Sequence, residues 1–317
     1  MVLETTRNIF NEPTFIKDVS EYGQILSVQF APFEWCQDLL LIAFQEKILL
    51  AQLKLTETLQ VEILTEFAHP NRCTALAFSP QTSLFNIPHK LLFAAAGNDF
   101  KLRLYDSNLN DENTCKVLTG HSSYINDVSF DPDNKYFAST SDDHTVKIWF
   151  VDGAYKATFD LTSPGINVCW QREDTCELLV AEKLGIIRFF NVESESPILS
   201  LDYTKPLCSA HWAPSDRDLV ASLHCGELLI WELTKPCLPQ QHNAFFNENG
   251  GNIRFSPQGE LVAAVNSLDS SMKVIHVKSQ TVKLTANVTL PTNVTWHYRY
   301  PLVCLGDDFR LCFWKTA

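Results

Sequence analysis

Glycine is scarce in this sequence, 11 of 317 residues, and that leaves few places where backbone amides could close around a phosphate. No P-loop, HExxH, nucleophile elbow or dinucleotide glycine pattern appears, so the usual signatures of phosphoryl, acyl and hydride transfer are missing. Clusters of basic residues are missing too. Lys and Arg number 25 against 37 Asp and Glu, a formal net charge of −12, the opposite of the basic stripe that displaces counterions from a nucleic-acid backbone. The start, MVLETTRNIFNEPTF, lacks the basic region and apolar core of a secretory signal. The longest apolar run, Leu39 to Phe44, is far short of the ~18 residues needed to span a bilayer. These absences lead to the expectation of a soluble, intracellular protein without enzymatic activity, cofactor, small-molecule substrate, membrane insertion or direct nucleic-acid contact.

Ten cysteines are present, but without a C-x-x-C pair, and most sit beside strand-core residues. They read as reduced thiols acting as small buried hydrophobes, with no metal site. Asn287-Val-Thr289 and Asn293-Val-Thr295 are formal glycosylation sequons, expected to be chance matches without secretion. Hydrophobic residues make up 45% and charged residues 20%, the balance of a globular chain with a large core.

The most informative stretch is LTGHSSYINDVSFDPDNKYFASTSDDHTVKIWF, Leu118 to Phe150. Three apolar runs of strand length, INDVSF, YFAST and TVKIWF, are separated by Asp-Pro-Asp-Asn and Ser-Asp-Asp-His, both turn chemistry. The opening Gly-His and closing Ile-Trp pairs resemble one WD repeat, the unit that forms one four-stranded blade of a β-propeller. A blade has two apolar faces and needs neighbours on both. The inner strand recurs accordingly, ending in an aromatic anchor at Phe30, Phe78, Phe130, Trp170, Trp212, Phe255 and Trp296. Proline follows two residues later in five of the seven units, all except those at Trp170 and Trp296. The third strands carry Tyr105, Trp149, Phe190, Trp231 and Trp314 at one equivalent place, with Ile275 in the sixth unit. The expectation is an all-β fold: one seven-bladed WD-repeat propeller over residues 1–317, its blades starting near residues 25, 73, 125, 166, 207, 251 and 292. After Trp314 no sequence remains for an outer strand. The segment with Phe15, Ile16 and Val19 is expected to supply it, so that the N-terminus closes the last blade.

Resemblance to WD repeats also implies a buried tetrad in the third unit, running from the Trp149 indole through Ser139 and His121 to the Asp143 carboxylate. Only this unit has the whole set by spacing; Asp99 and Asp308 keep the aspartate elsewhere. Ser, His and Asp together also suggest a hydrolase. A hydrolase serine sits on a strained, exposed elbow, whereas Ser139 lies inside an apolar strand, so the structural reading is preferred. Two insertions stand out: QTSLFNIPHK after Pro80, with Leu84, Phe85 and Ile87, and TKPCLPQQHNAFFNENGG after Leu233, with Phe245 and Phe246. Apolar side chains on loops of a rigid scaffold are candidate partner contacts; the alternative is that they fold back as satellite clusters or extra strands.

Narrower motifs lie between Phe130 and Trp212: SDDHTVKIW, SPGINVCW, VAEKLGIIRFFNV, PILSL and SAHW, with GDDFRLCFW near the end. In order and spacing they are similar to the WD-repeat nucleoporins of the Y-shaped outer-ring complex of the nuclear pore. That resemblance implies a scaffold subunit that docks on the large α-solenoid nucleoporin and contacts other outer-ring nucleoporins, at the nuclear envelope and, in mitosis, at kinetochores. Rival uses of a propeller are a ubiquitin-ligase adaptor, an enzyme, and a reader of histone tails or other peptides. The adaptor would carry Trp-Asp-x-Arg after the third strand, and Trp149-Phe-Val-Asp, Trp231-Glu-Leu-Thr and Trp314-Lys-Thr all lack the arginine. The acidic balance would suit basic tails.

Overall fold

Apolar faces on both sides of each unit leave one arrangement open, sheets packed face to face around an axis. In the computed structural model, which describes residues 11–55, 59–85, 87–110 and 113–316, the chain forms seven four-stranded antiparallel sheets. Only two 3-10 turns, Ser20–Tyr22 and Glu34–Cys36, interrupt the strands among the described residues. The inner strands are Ser27–Phe30, Cys73–Phe78, Ile125–Phe130, Gly165–Trp170, Leu207–Trp212, Asn252–Phe255 and Pro291–Trp296. Each ends on an aromatic anchor, and all of these anchors are buried.

The core is divided into wedges. Seven apolar clusters are present among the described residues, each shared by two adjacent blades: Phe137 and Trp149 of blade 3 pack with Leu92 and Leu104 of blade 2, and Phe189 and Leu179 of blade 4 with Trp212 and Trp231 of blade 5. Burying one such side chain contributes about 1.5–3 kcal/mol, so every blade is stabilised by both of its neighbours.

Polar side chains three residues before the anchor staple the inner strands together. Asp127 of blade 3 accepts the Val168 N–H of blade 4 at 3.2 Å, Asn167 accepts Ala210 of blade 5 at 3.1 Å, and Ser209 accepts Ile253 of blade 6 at 3.2 Å. Asn293 of blade 7 does the same across the ring closure, accepting Val28 N–H at 3.0 Å and donating to Val28 O at 2.7 Å. Thr295 adds a further strut, accepting Phe30 N–H at 3.0 Å. Both polar residues of the Asn293 sequon are therefore committed to the junction of blades 7 and 1.

Closure follows the expected route. The outer strand of the last blade is Phe15–Asp18, antiparallel to Arg310–Lys315 with Phe15 opposite Phe313 and Asp18 opposite Arg310. Phe15 packs on the Phe313 ring at 5.7 Å, and Val19 is fully buried. The Trp314 indole donates to Asn11 O at 3.1 Å, which ties the outgoing end to the incoming one.

Candidate partner-binding surface

In blade 3 the four polar side chains form one chain of hydrogen bonds. Trp149 Nε1 donates to Ser139 Oγ at 3.0 Å, Ser139 Oγ is 2.8 Å from His121 Nε2, and His121 Nδ1 is 2.8 Å from Asp143 Oδ2. Its direction follows from its ends, because an indole only donates and a carboxylate only accepts. The Ser139 hydroxyl therefore donates to Nε2, and Nδ1–H donates to Asp143. Burial drives His121 below its ordinary pKa, against the pull of Asp143. Burial would raise Asp143, but bonds from Thr145, Ser122 and His121 outweigh it and hold the carboxylate below the usual range. Gly120, before the histidine, is set by packing: a Cβ there would meet the Trp149 ring at 2.9 Å. With Ser139 fully buried, the group braces the blade and offers no nucleophile to solvent.

Blades 2 and 5 rebuild this brace from other residues. In blade 5 Trp231 Nε1 donates to Ser222 Oγ at 2.8 Å and Ser222 meets His224 Nε2 at 3.0 Å, while His224 Nδ1 donates to the Lys205 carbonyl at 3.0 Å. A backbone acceptor thus replaces the aspartate. In blade 2 the serine position is Ala95, and His69 Nδ1 bonds the Tyr105 hydroxyl directly at 2.9 Å. Asp99 turns instead to Arg103, with fork distances of 3.0 and 2.6 Å. His69 was legible: it stands nine residues before Phe78, as His121 stands nine before Phe130.

The two insertions behave differently. The first forms a small hairpin, with Ser83 and Lys90 paired through both backbone bonds at 2.7 and 2.9 Å. Leu84 folds back against the wedge between blades 1 and 2, whereas Phe85 is 79% and Ile87 90% exposed. Beside them is a residue not singled out from sequence, Trp35, 45% exposed, stacked on Phe33 at 5.3 Å and donating its indole N–H to Pro80 O at 3.0 Å. The second insertion folds back as an extra strand, the alternative to a partner-contact loop. Its residues Gln241–Ala244 are the outer strand of blade 5, paired with Glu227–Ile230. The chain then turns so that the Phe245 and Phe246 N–H groups both bond Gly226 O. Phe246 is buried in the wedge between blades 5 and 6 under the Lys273 ammonium, 5.0 Å from its ring, and Phe245 is half-buried against the same wedge. The Phe246 ring is thereby closed off from solvent. Among the described residues no group of His, Cys, Asp and Glu is arranged to hold a metal, and no helix is long and apolar enough to cross a membrane.

The WD domain, G-beta repeat family matches residues 61–106 and 112–149. Nucleoporin Nup37 of mouse and of human are each 36% identical over 266 residues, 82% of this chain and 82% of theirs. Nucleoporin Nup37 of Drosophila melanogaster is 36% identical over 246 residues, 77% of each chain. The chain belongs to the Nup37 family of nucleoporins. Two of the motifs that resemble outer-ring nucleoporins meet in space. Glu182 of VAEK is fully buried and accepts Thr162 N–H at 2.8 Å, Thr162 Oγ1–H at 2.6 Å and Ser163 N–H at 2.8 Å, and it pairs with Arg188. Gly165 of SPG lies so close to blade 3 that a Cβ would stand 1.8 Å from Thr140 Oγ1. Glu182 and Gly165 thus lock the turns of blade 4 from inside, while Lys183 and Leu184 at the tip are exposed.

Proposed function

We propose that this protein is a non-catalytic scaffold subunit of the outer ring of the nuclear pore, docking on an α-solenoid nucleoporin and supporting pore assembly and transport. Membership of the Nup37 family supports this reading, with 36% identity over 82% of the chain. The contact we assign is the rim of blades 1 and 2, where Phe85 and Ile87 stand out beside Trp35. Aliphatic and aromatic side chains raised on a rigid edge suit the grooves between helices of a solenoid, because a few well-buried apolar anchors dominate such interfaces. The test is co-purification with the solenoid partner. Phe85→Ala with Ile87→Ala should weaken association by about 1–3 kcal/mol at an unchanged melting temperature. Undiminished co-purification would remove the rim from the interface, and failure of the wild type to bind would remove the solenoid reading itself.

A further inference from the structure

The proline two residues beyond the anchor is replaced in two blades only, by Arg172 in blade 4 and Tyr298 in blade 7, and the structure brings these two exceptions together across the mouth of the central channel. The Arg172 guanidinium lies over the Tyr298 ring, 5.8 Å from its centroid, and its Nη2 reaches Pro32 O of blade 1 at 3.3 Å. Beside it is a cavity of about 140 Å³ lined by Arg172, Arg254, His211 and Asp127, continued by one of about 90 Å³ that reaches Tyr298. Charge in this mouth does not balance. Arg254 stands 3.7 Å from Asp127, while Arg172 has no carboxylate in ion-pair reach among the described residues, only a carbonyl and a ring. Burial opposes its charge. Burial and both guanidinium groups also keep His211 neutral, well below its ordinary pKa. Because His211 Nδ1 accepts the Phe255 N–H at 3.3 Å, the proton of the neutral ring sits on Nε2, a further donor at the cavity wall.

A guanidinium drawn out of water without a counter-charge is costly, and an incoming anion recovers that cost through paired, charge-assisted bonds. We propose that the channel mouth is a binding site for an anionic group, a carboxylate side chain of a protein partner inserted between Arg172 and Arg254. The cavity has room for one such side chain, and the mouth carries two fixed positive charges against one carboxylate. It is a local exception on a chain of net charge −12, so an acidic segment is repelled elsewhere on the surface and attracted here. The site is independent of the solenoid reading and of Phe85 and Ile87.

A fluorescein-labelled hexaglutamate peptide, titrated into the full chain at low salt, tests this directly. Saturable binding is expected, weakened at least tenfold by Arg172→Gln and less by Arg172→Lys, which keeps the charge but loses the planar fork. Emission of Trp170, Trp212 and Trp296, which line the two cavities, should change on occupation of the wild type, so the result does not depend on any variant folding. If inorganic phosphate alone binds in an Arg172-dependent way and hexaglutamate does not, the carboxylate source is overturned in favour of a free anion. Absence of binding by both, or hexaglutamate binding indifferent to Arg172, overturns the site.

Discussion

Breaking the blade 3 brace at Asp143 gives the sharpest test of its assignment as structure rather than site. The carboxylate accepts four hydrogen bonds: His121 Nδ1 at 2.8 Å, Ser122 N at 3.0 Å, Thr145 N at 3.0 Å and Thr145 Oγ1 at 2.6 Å. Asp143→Ala leaves the Nδ1–H of a His121 side chain only 1% exposed with no acceptor closer than Thr145 Oγ1 at 3.3 Å, which costs about 1–3 kcal/mol. Ser122 lies at the surface and its N–H rehydrates cheaply; the half-buried Thr145 adds a smaller amount, for a total of about 2–4 kcal/mol. Urea unfolding at neutral pH reads this as a lowered midpoint with an unchanged slope. Direction can be checked separately. Ser139→Ala alone strands the Trp149 indole N–H, and adding Trp149→Phe removes that donor, so the double variant should lose less than the two singles together. Blade 2 is built in that way, with Ala95 and Tyr105 at these places and the histidine bonded to the phenol. A full-strength midpoint for Asp143→Ala combined with lost partner binding would refute the reasoning and turn the brace into a site.

Other outcomes follow from the same geometry. Asn293→Ala removes the staple to Val28 at the ring closure, including a donor and an acceptor for its backbone; it should cost about 1–3 kcal/mol and raise hydrogen exchange selectively in Ser27–Phe30. Phe246→Ala should cost about 3–5 kcal/mol because that ring is buried, whereas Phe85→Ala should leave the melting curve unchanged within about 0.5 kcal/mol. Stability should fall between pH 7 and 5. Burial depresses His69 and His224 to about 4 in the folded state, so their contribution is full above the unfolded value near 6.5 and is lost as pH drops below it, about 2 kcal/mol each by pH 5. Asp131, pushed up by burial to about 6, and Asp127, also raised by burial, work in the opposite direction, while His121, His211 and His297, depressed by burial, add to the fall. An unfolding midpoint at pH 5 equal to or above that at pH 7 would contradict this account.

How much of this was legible depended on whether a residue's role repeats. The inner strands were readable because each ends on an aromatic that must fill a wedge between blades, and seven wedges impose seven anchors. The closing strand was readable by subtraction, since a blade ending at Trp314 lacks an outer strand and Phe15, Ile16 and Val19 were at hand. Gln241–Ala244 was not readable. It is an outer strand with water on most sides, QHNA, so no alternation of apolar residues marks it. With that strand unmarked, the choice for Phe245 and Phe246 between partner contact and folding back stayed open, because their burial depends on the turn back to Gly226. The staples at Asp127, Asn167, Ser209 and Asn293 share one offset from the anchor, but that offset has meaning only when the next blade is known to lie alongside.

Regular positions of the repeat therefore specify the ring, and the departures from it carry what distinguishes this propeller. A proline beyond the anchor starts a turn and does nothing more; replacing it costs the turn some rigidity, which is tolerable once, where another interaction restores it. Blades 4 and 7 lose the proline in different parts of the sequence, 126 residues apart (298 − 172), yet the replacements lie against each other over the channel, cation on ring. Two independent losses of a structural residue would be expected to leave small polar turns, and a stacked arginine with no carboxylate to satisfy it is a poor substitute for rigidity. The arrangement makes physical sense if the charge is directed at something that arrives from outside. That argument can be tested on stability alone. If Arg172 were there only to brace the mouth, Arg172→Pro with Tyr298→Pro, restoring the rule of the other five blades, should lower the urea midpoint. If it is kept for an incoming anion, the same double variant should be as stable as the wild type or more so, while losing the hexaglutamate-dependent change in tryptophan emission.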